Sequence, residues 1–538
     1  MIFCLGEWET TISQCHFQFD VPFALGEILP RLQQYGFVAE GRSIARREIF
    51  LDSFDWRLFR QDCCLIESRG GGRRQLRWLS SGSGRCRAAA NVKATPRFAA
   101  DLPKGSLRDG LAPFLDIRAL MPLAICDVRR RHFRFLNRDD KTVLRLVVEE
   151  ENISSPGRRR GPATTLRIIR LVPVKGYDNA LRQAVRWLQK DIGLALSGDI
   201  FPVSIFRALG LEPGAYSSKV DVALDTEMTA FEATRSLLAN LWQAAEANEA
   251  GLLDDIDSEF LHDFRVAIRR TRSALSQLKD IFPEDWLARY RQEFAWLAAA
   301  TGPTRDLDVY LLAIPKYEQL LPEEHRGGLV PLKKLIGRNR SREFKNLAHL
   351  LRGARYRALK EQWLQFVTTG LLSPAAAGAA AGLPVRSLAG RRIWRLYRKL
   401  LKGGRAITSQ SPATDLHDLR KQAKKLRYMF EFFKSLYPDQ EVAAVLKVMK
   451  MLQQNLGDIQ DYEVQAEALA QMATELDETG TGDKASFLAI GMLTAHLMEL
   501  QARARNDFDK VFADFDSPRL QQAFRKLFKD HSADGGSA

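Results

Sequence analysis

The sequence predicts a multi-domain protein: an N-terminal α+β domain followed by a C-terminal all-α domain. Three observations predict it. Up to about residue 175, apolar and polar residues alternate in short runs such as CHFQFDV, RRHFRFL and TVLRLVVEE, broken by glycine turns at GGG (70–72) and SSGSG; this is the period-2 signature of strands. From about residue 216 these runs give way to long segments rich in Ala, Leu, Arg, Gln and Glu with helical period. The helical half also repeats itself at a fixed distance of 155 residues.

The 538 residues suffice for two to four domains at roughly 100–200 residues each. The boundaries read 1–210 for the first domain and 216–532 for the second, with repeats over about 220–370 and about 385–530. The Pro/Gly/Ala-rich stretch LLSPAAAGAAAGLP (371–384) separates the repeats. In the first domain a helix is expected after Pro22, in FALGEILPRLQQYG, ended by Pro30 or by Gly36; another is expected over Asn179 to Gly193.

Composition narrows the partner. The chain carries 80 Lys and Arg against 65 Asp and Glu, a net +15, which fits nucleic acid, polyphosphate, an anionic membrane or an acidic protein. No run of 18 apolar residues is present, and MIFCLGEWETT lacks the basic start and apolar core of a secretory signal. The expectation is a cytoplasmic protein without a membrane partner. The cysteines Cys4, Cys15, Cys63, Cys64, Cys86 and Cys126 show no CxxC pair and no zinc spacing with histidine. They read as reduced thiols, mostly buried, and the neighbours Cys63 and Cys64 point to opposite faces of an extended chain.

The repeat is specific. At the offset of 155, His262 falls on His417, Asp263 on Asp418, Arg265 on Arg420, Arg269 on Lys424, Arg270 on Lys425 and Arg272 on Arg427. Further on, GPTRDLDV pairs with GDIQDYEV, matching Gly302 to Gly457, Asp306 to Asp461, Asp308 to Glu463 and Val309 to Val464. On a helix, positions 262, 265, 269 and 272 fall within about 80° of one another. His262, Arg265, Arg269 and Arg272 therefore form one basic stripe, and His417, Arg420, Lys424 and Arg427 form its copy. Arg270, Lys421 and Lys425 add charge to these two helices. Apolar residues lie beside each stripe: Leu261, Phe264, Ile268 and Leu275, then Leu416, Leu419, Leu426 and Phe430.

Like charges at i,i+4 destabilise an isolated helix, so a cationic stripe without interleaved carboxylates needs a cause. A solvated face is one. Duplication points to the other, two stripes converging across a pseudo-two-fold where a polyanion offsets the repulsion. A third basic segment, GRRIWRLYRKLLKGGR (390–405), sets Arg391, Arg395, Arg398 and Lys402 at helical spacing; its first-copy counterpart is not basic, so the site is expected to be asymmetric.

The histidines are poor metal ligands because cations share their stripe. They suit donation to phosphate oxygen, with a pH dependence that a bound anion and the neighbouring arginines shift in opposite directions. Asp306, Asp308, Asp461 and Glu463 follow glycines where a helix could begin, and capping or bracing of the basic side chains accounts for them. No nucleophile constellation or phosphate-cradling glycine loop is present in this half, so no catalytic residue, metal or cofactor is expected there.

These residues resemble the CHAD domain, the conserved-histidine α-helical domain, with its His-x-x-Arg-x-x-x-Arg/Lys-Arg/Lys-x-Arg helix and its Gly-x-x-x-Asp-x-(Asp/Glu)-Val segment, each present twice. RGARYRALKEQWLQF (352–366) is also similar to a family segment. The resemblance implies two four-helix bundles binding inorganic polyphosphate along a basic pore or groove, with association with polyphosphate granules. The first domain resembles the CYTH fold, an antiparallel triphosphate tunnel or barrel, through IFLDSFDWRLF (49–59) and LVPVKGYDNALRQAVRWL (171–188). That family holds a divalent ion with a Glu-x-Glu-x-Lys strand, where this chain has Gln14, His16 and Gln18. Its paired arginines are replaced here near Ile66 and Ser68, its late Glu-x-Glu reads Arg170-x-Val172, and Glu149, Glu150 and Glu151 remain as acids near a strand end. The resemblance therefore implies a degenerate, non-catalytic scaffold. The competing readings are a metal-dependent triphosphatase or adenylate cyclase-like activity in this domain, and nucleic-acid binding by the basic helices, for which no helix-turn-helix or aromatic stacking signature is present.

Overall fold

A computed structural model of the chain describes residues 17–22, 24–81, 84–157, 164–196, 201–370 and 378–529. It consists of two compact units, residues 1–217 and 218–538.

The first unit is built on one eight-stranded antiparallel sheet in the order β1-β8-β7-β6-β2-β3-β4-β5. The strands are β1 (Phe17–Asp20), β2 (Phe37–Asp52), β3 (Cys63–Gly70), β4 (Arg73–Ser80), β5 (Cys86–Asn91), β6 (Met121–Leu136), β7 (Thr142–Ser154) and β8 (Thr164–Pro173). Among the described residues, the outer strands β1 and β5 are not paired with each other. This is the antiparallel sheet domain expected, and the alternating runs are its strands. Glu149 to Glu151 lie within β7 rather than at its end.

The expected helix after Pro22 is α1 (Leu25–Tyr35), which runs through Pro30 and stops at Gly36, whose φ of 111° only glycine adopts readily. Two helices lacked a sequence signal against the strand-like background, α2 (Ser106–Leu115) and α4 (Val203–Ala208), while the expected α3 spans Asp178–Lys190. The alternation decides which residues share a sheet face. On one face Phe19, Phe37, Phe133, Leu144, Leu146, Val148 and Ile169 pack with Leu181, Val185 and Leu188 of α3. On the other, Phe50, Ile66, Cys126 and Ile153 pack with Ile205 and Phe206 of α4.

The second unit is all helical. Its first copy has α5 (Ala230–Leu253), α6 (Ser258–Gln277), α7 (Glu284–Ala300), α8 (Gly302–Leu320), α9 (Leu329–Arg352) and α10 (Ala354–Thr369). Its second has α11 (Val385–Arg405), α12 (Ala413–Phe433), α13 (Asp439–Glu478), α14 (Lys484–Asn506), α15 (Phe508–Phe515) and α16 (Pro518–Phe524). The starts of α5, α6, α7 and α9 recur 155 residues later as the starts of α11, α12, α13 and α14. Each copy is thus a four-helix plan with interruptions.

The expected helix start at Gly302 is present, but Gly457 lies inside the continuous 40-residue α13. The difference follows from Pro303, which cannot donate an i→i−4 hydrogen bond; its counterpart is Asp458, which can. Side chains cap three helices. Thr229 and Glu232 form a capping box on α5, Asp257 accepts from Glu259 and Phe260 N–H on α6, and Asp483 accepts from Ser486 N–H on α14.

The pseudo-symmetry is written into the backbone. Ala230 N–H donates to the Leu383 carbonyl at 2.8 Å, and Val385 N–H donates to the Met228 carbonyl at 3.0 Å; each bond is the other moved by 155 residues. The copies also share a core in which Tyr310, Ile314, Leu332, Leu335 and Ile336 meet Leu469, Ile490, Leu493 and Leu497.

Gly328, between α8 and α9, touches the opposite copy so closely that a Cβ there would lie 2.4 Å from the Ala485 carbonyl oxygen. Backbone cannot yield as a side chain does. Gly328→Ala is expected to destabilise the helical unit by about 1–3 kcal/mol, measured by chemical denaturation against wild type.

Candidate functional site

The two stripes meet at one residue of the first, Arg269, which faces three of the second. A cavity of about 170 Å³ is lined by Arg269 from α6 and by Arg420, Lys424, Arg427 and Tyr428 from α12, together with Lys450, Gln453 and Gln454 from α13. Five of these eight lining residues are cationic and none is a carboxylate. Arg420 is ion-paired to Asp461 at 2.7 Å and Arg427 to Glu431 at 2.7 Å, so two guanidiniums are held in place. Among the described residues Arg269, Lys424 and Lys450 make no ion pair. Gln453 accepts from Arg427 at 2.9 Å and donates to the Ala423 carbonyl at 2.6 Å, which fixes both Arg427 and its own amide.

Lys424 registers this environment. Burial, followed by the charges of Arg420 and Arg269, pushes its ammonium down to about 8, against a smaller opposing pull from Asp461. Burial is the larger cause, and the part due to Arg420 and Arg269 marks a local positive potential. In the first copy, Arg265 donates to the Ala298 carbonyl at 3.0 Å and to Thr301 Oγ1 at 2.8 Å. Its guanidinium is shifted downward by burial, with Asp306 opposing and Arg269, Arg305 and Arg272 adding to the fall.

The remaining predicted residues divide by position. His417 Nδ1 is hydrogen-bonded to Gln460 Oε1, and His262 is likewise half-buried on α6. Arg272 is exposed on α6; Lys425 and Lys421 are exposed on α12, with Lys421 paired to Asp418 at 3.1 Å. Arg391, Arg395, Arg398 and Lys402 occupy the exposed face of α11 and do not line the cavity. Arg270 differs from its neighbours: it is buried, donating to the Ser218 carbonyl at 2.7 Å and pairing with Glu431 at 3.2 Å. At about 100° per residue it falls off the stripe, and it joins the two copies.

The motif acids brace, as expected of them. Asp308 is buried and ion-paired to Arg340 at 2.8 Å; burial pushes its carboxyl upward against that partner. Asp461 holds Arg420.

Sequence reasoning missed Lys450, Gln453, Gln454 and Tyr428. Their counterparts 155 residues earlier are Ala295, Ala298, Ala299 and Ser273, so a search for repeated features passes over them. The polar wall exists in one copy.

The first unit carries a second charged cluster, on the sheet face shared with Phe50 and Cys126. Arg130 forms two bonds to Glu48, at 2.8 and 3.0 Å, and one to Glu149 at 2.8 Å. Arg77 reaches Glu48 at 2.7 Å and Arg170 reaches Glu149 at 3.2 Å. Burial pushes Glu48 up, but Arg130 and Arg77 outweigh it and hold the carboxyl below its ordinary range. Glu151 is pushed up to about 8 by burial and then by Glu149, so it is protonated at neutral pH. Gln14 and His16 lie outside the described residues. The carboxylates of this face do not fit a divalent cation, which needs ionised oxygens free to coordinate: Glu48 and Glu149 are committed to guanidiniums and Glu151 is neutral. Among the described residues no group of three or more His, Cys, Asp or Glu is placed to hold a metal. Cys63, Cys64 and Cys126 are buried free thiols and Cys86 is an exposed one.

Residues 236–470 match the sequence model of the CHAD domain, and this stretch of the chain is a CHAD domain. Among solved structures the chain is similar to the CHAD domain from the plant Ricinus communis, at 25% identity and a TM-score of 0.47, over 57% of this chain and 99% of that one. It is similar to PptA from Streptomyces chartreusis at 18% identity and a TM-score of 0.42, over 53% and 99%. A candidate adenylyl cyclase from Hippeastrum, HpAC1, described by a dominant triphosphatase activity, aligns at 11% identity and a TM-score of 0.27, over 38% and 99%. No curated protein matches the chain. No helix among the described residues is long and apolar enough to cross a membrane.

Two stability predictions follow from the shifted groups. Lys424 has a folded pKa below its unfolded one, so the unfolded chain binds more protons between about 8 and the ordinary lysine value, and stability rises across that window. Lys424→Met is expected to raise Tm at pH 7 by a few degrees, with the gap to wild type closing as pH climbs from about 8 to about 10.5. Glu151 has a raised folded pKa, so its contribution is present at acid pH and is lost as pH rises through about 8. Glu151→Gln is expected to match wild type near pH 4 and to exceed its Tm above pH 8, read by thermal melts over that range.

Proposed function

We propose that the helical unit binds inorganic polyphosphate and does not consume it, gripping the anion in the cavity between the two copies. The observation that carries this is the meeting of Arg269 from one copy with Arg420, Lys424 and Arg427 from the other, with Lys424 depressed to about 8 by burial and its cationic neighbours. The CHAD match supports a polyphosphate- or triphosphate-related function.

The roles follow from the contacts. Arg420 and Arg427, oriented by Asp461 and Glu431, present guanidinium forks to phosphate oxygens. Arg269, Lys424 and Lys450 supply unneutralised charge. His417, with Nδ1 engaged by Gln460 Oε1, donates from Nε2 to a phosphate only as the imidazolium, and His262 and Arg265 act at the equivalent place in the first copy. Arg272, Lys421, Lys425 and the α11 cations Arg391, Arg395, Arg398 and Lys402 add to the positive field that steers the anion in. Arg270 braces the two copies instead. In a cell this reading corresponds to a cytoplasmic protein recruited to polyphosphate granules.

Combining Arg269→Glu with Lys424→Glu is expected to weaken binding of a short polyphosphate at least tenfold, with the helical circular dichroism unchanged. In wild type, affinity falls as pH rises from 7 to 9, because Lys424 loses its proton; Lys424→Arg, which stays charged, flattens that fall. Titration calorimetry checks both, and equal affinity for the double variant would remove the cavity as the site. Phosphate release from tripolyphosphate with Mg²⁺ would overturn the non-catalytic part.

A further inference from the structure

Helix α9 carries a further basic stripe that the duplication does not explain. Lys334, Arg338, Arg342, Lys345, His349 and Arg352 are all exposed, and their positions fall within about 80° of one another on a helix. The stripe runs about 27 Å at 1.5 Å per residue. Over the whole of α9, seven Lys and Arg face one carboxylate, Glu343. That carboxylate pairs with Arg342 at 3.2 Å, and Arg352 reaches the Leu253 carbonyl at 3.5 Å. Among the described residues no other ion pair holds a member of the stripe.

The opposite side of α9 is fixed in the core by Leu332, Leu335, Ile336, Leu347 and Leu351, so the stripe faces outward by construction. Helix α14, which starts 155 residues after α9, has three Lys and Arg, of which Arg503 is paired to Glu499 at 2.5 Å. The stripe therefore belongs to one copy alone. Lys334, Arg338 and Arg342 stand at successive i,i+4 positions, an arrangement that costs an isolated helix a few tenths of a kcal/mol per pair. A straight row of basic side chains with a single carboxylate partner among the described residues, Glu343 on Arg342, matches a linear polyanion through charge complementarity. It does not match a lipid surface, since the apolar side that would enter a bilayer is used inside the fold. Nor does it carry exposed aromatic side chains on which unpaired bases stack.

We infer that the α9 stripe is a second polyphosphate contact, a track engaged by long chains whose other portion occupies the cavity. This rests on the polyphosphate reading of the cavity. Two linked contacts on one polymer raise overall affinity without any new chemistry at either, so the chain gains a preference for length.

The test uses the full chain, tripolyphosphate and long-chain polyphosphate. Neutralising three members together, Arg338→Gln, Arg342→Gln and Lys345→Gln, is expected to leave tripolyphosphate binding unchanged. Long-chain affinity should fall on the order of tenfold, and its log–log salt slope should become shallower by about 2, as for the loss of three phosphate contacts at roughly 0.7 each. In the cavity variant carrying Arg269→Glu and Lys424→Glu, long-chain binding should persist weakly and disappear when the α9 changes are added. Unchanged long-chain affinity and slope in the triple variant would overturn the inference while leaving the cavity reading intact. Unchanged tripolyphosphate binding in the cavity variant would overturn that reading instead. Duplex DNA bound as tightly as long polyphosphate, and lost with the same triple variant, would reassign the stripe to nucleic acid.

Discussion

The helical unit depends on the pseudo-two-fold that ties its copies together. Two reciprocal backbone hydrogen bonds, Ala230 to Leu383 and Val385 to Met228, set the first helices of the copies against each other, and a shared core of leucines and isoleucines closes the far end. With those fixed, α6 has to pack on α12, and the cations on both are driven into one cavity. The magnitudes decide that this happens. Each fully buried Leu or Ile contributes about 1.5–3 kcal/mol, whereas two unit charges about 8 Å apart repel by about 2 kcal/mol at an effective dielectric of about 20. A core of this size tolerates several such repulsions, and the repulsion that remains is available to an anion.

The same logic, inverted, governs the sheet unit. Its charged cluster is balanced internally, with Arg130 spanning Glu48 and Glu149 while Arg77 and Arg170 complete the lattice. Glu151, left over, is neutral because burial and Glu149 make its ionised form unfavourable. Carboxylates neutralised by guanidiniums have no free charge for a hard cation. The helical unit brings Arg269, Lys424 and Lys450 together without carboxylate partners among the described residues, whereas the buried carboxylates Glu48 and Glu149 of the sheet unit are matched by guanidiniums, so the proposed anion site lies in the helices.

Much of this was legible in the sequence. The offset of 155 read from His262 and His417 became the offset of four helix starts, and the stripe derived from 3.6-residue periodicity became the cavity wall at Arg269, Arg420, Lys424 and Arg427. Three things were hidden, each for a physical reason. Arg270 looked like its neighbours, but its angle on the helix takes it out of the stripe and into a buried pair with Glu431. Gly457 copied Gly302 in the motif but not in conformation, because the break depends on Pro303, which the second copy lacks. Lys450, Gln453 and Gln454 had no repeated signal because they are present in one copy, their counterparts being Ala295, Ala298 and Ala299.

That last point bears on how a duplicated fold acquires a site. Symmetry places the two stripes opposite each other, yet a symmetric site would present an anion with two equal, competing modes. Here the α13 wall supplies Lys450, Gln453 and Gln454, where α7 has Ala295, Ala298 and Ala299 at the equivalent positions. Gln453 accepts from Arg427 while donating to the Ala423 carbonyl on the same helix as Arg427, so this wall of α13 fixes a guanidinium of the cavity. The outward cations of α9 are likewise confined to one copy. Duplication accounts for the framework that brings the charges together, and the residues that make the cavity asymmetric are those in which the copies differ.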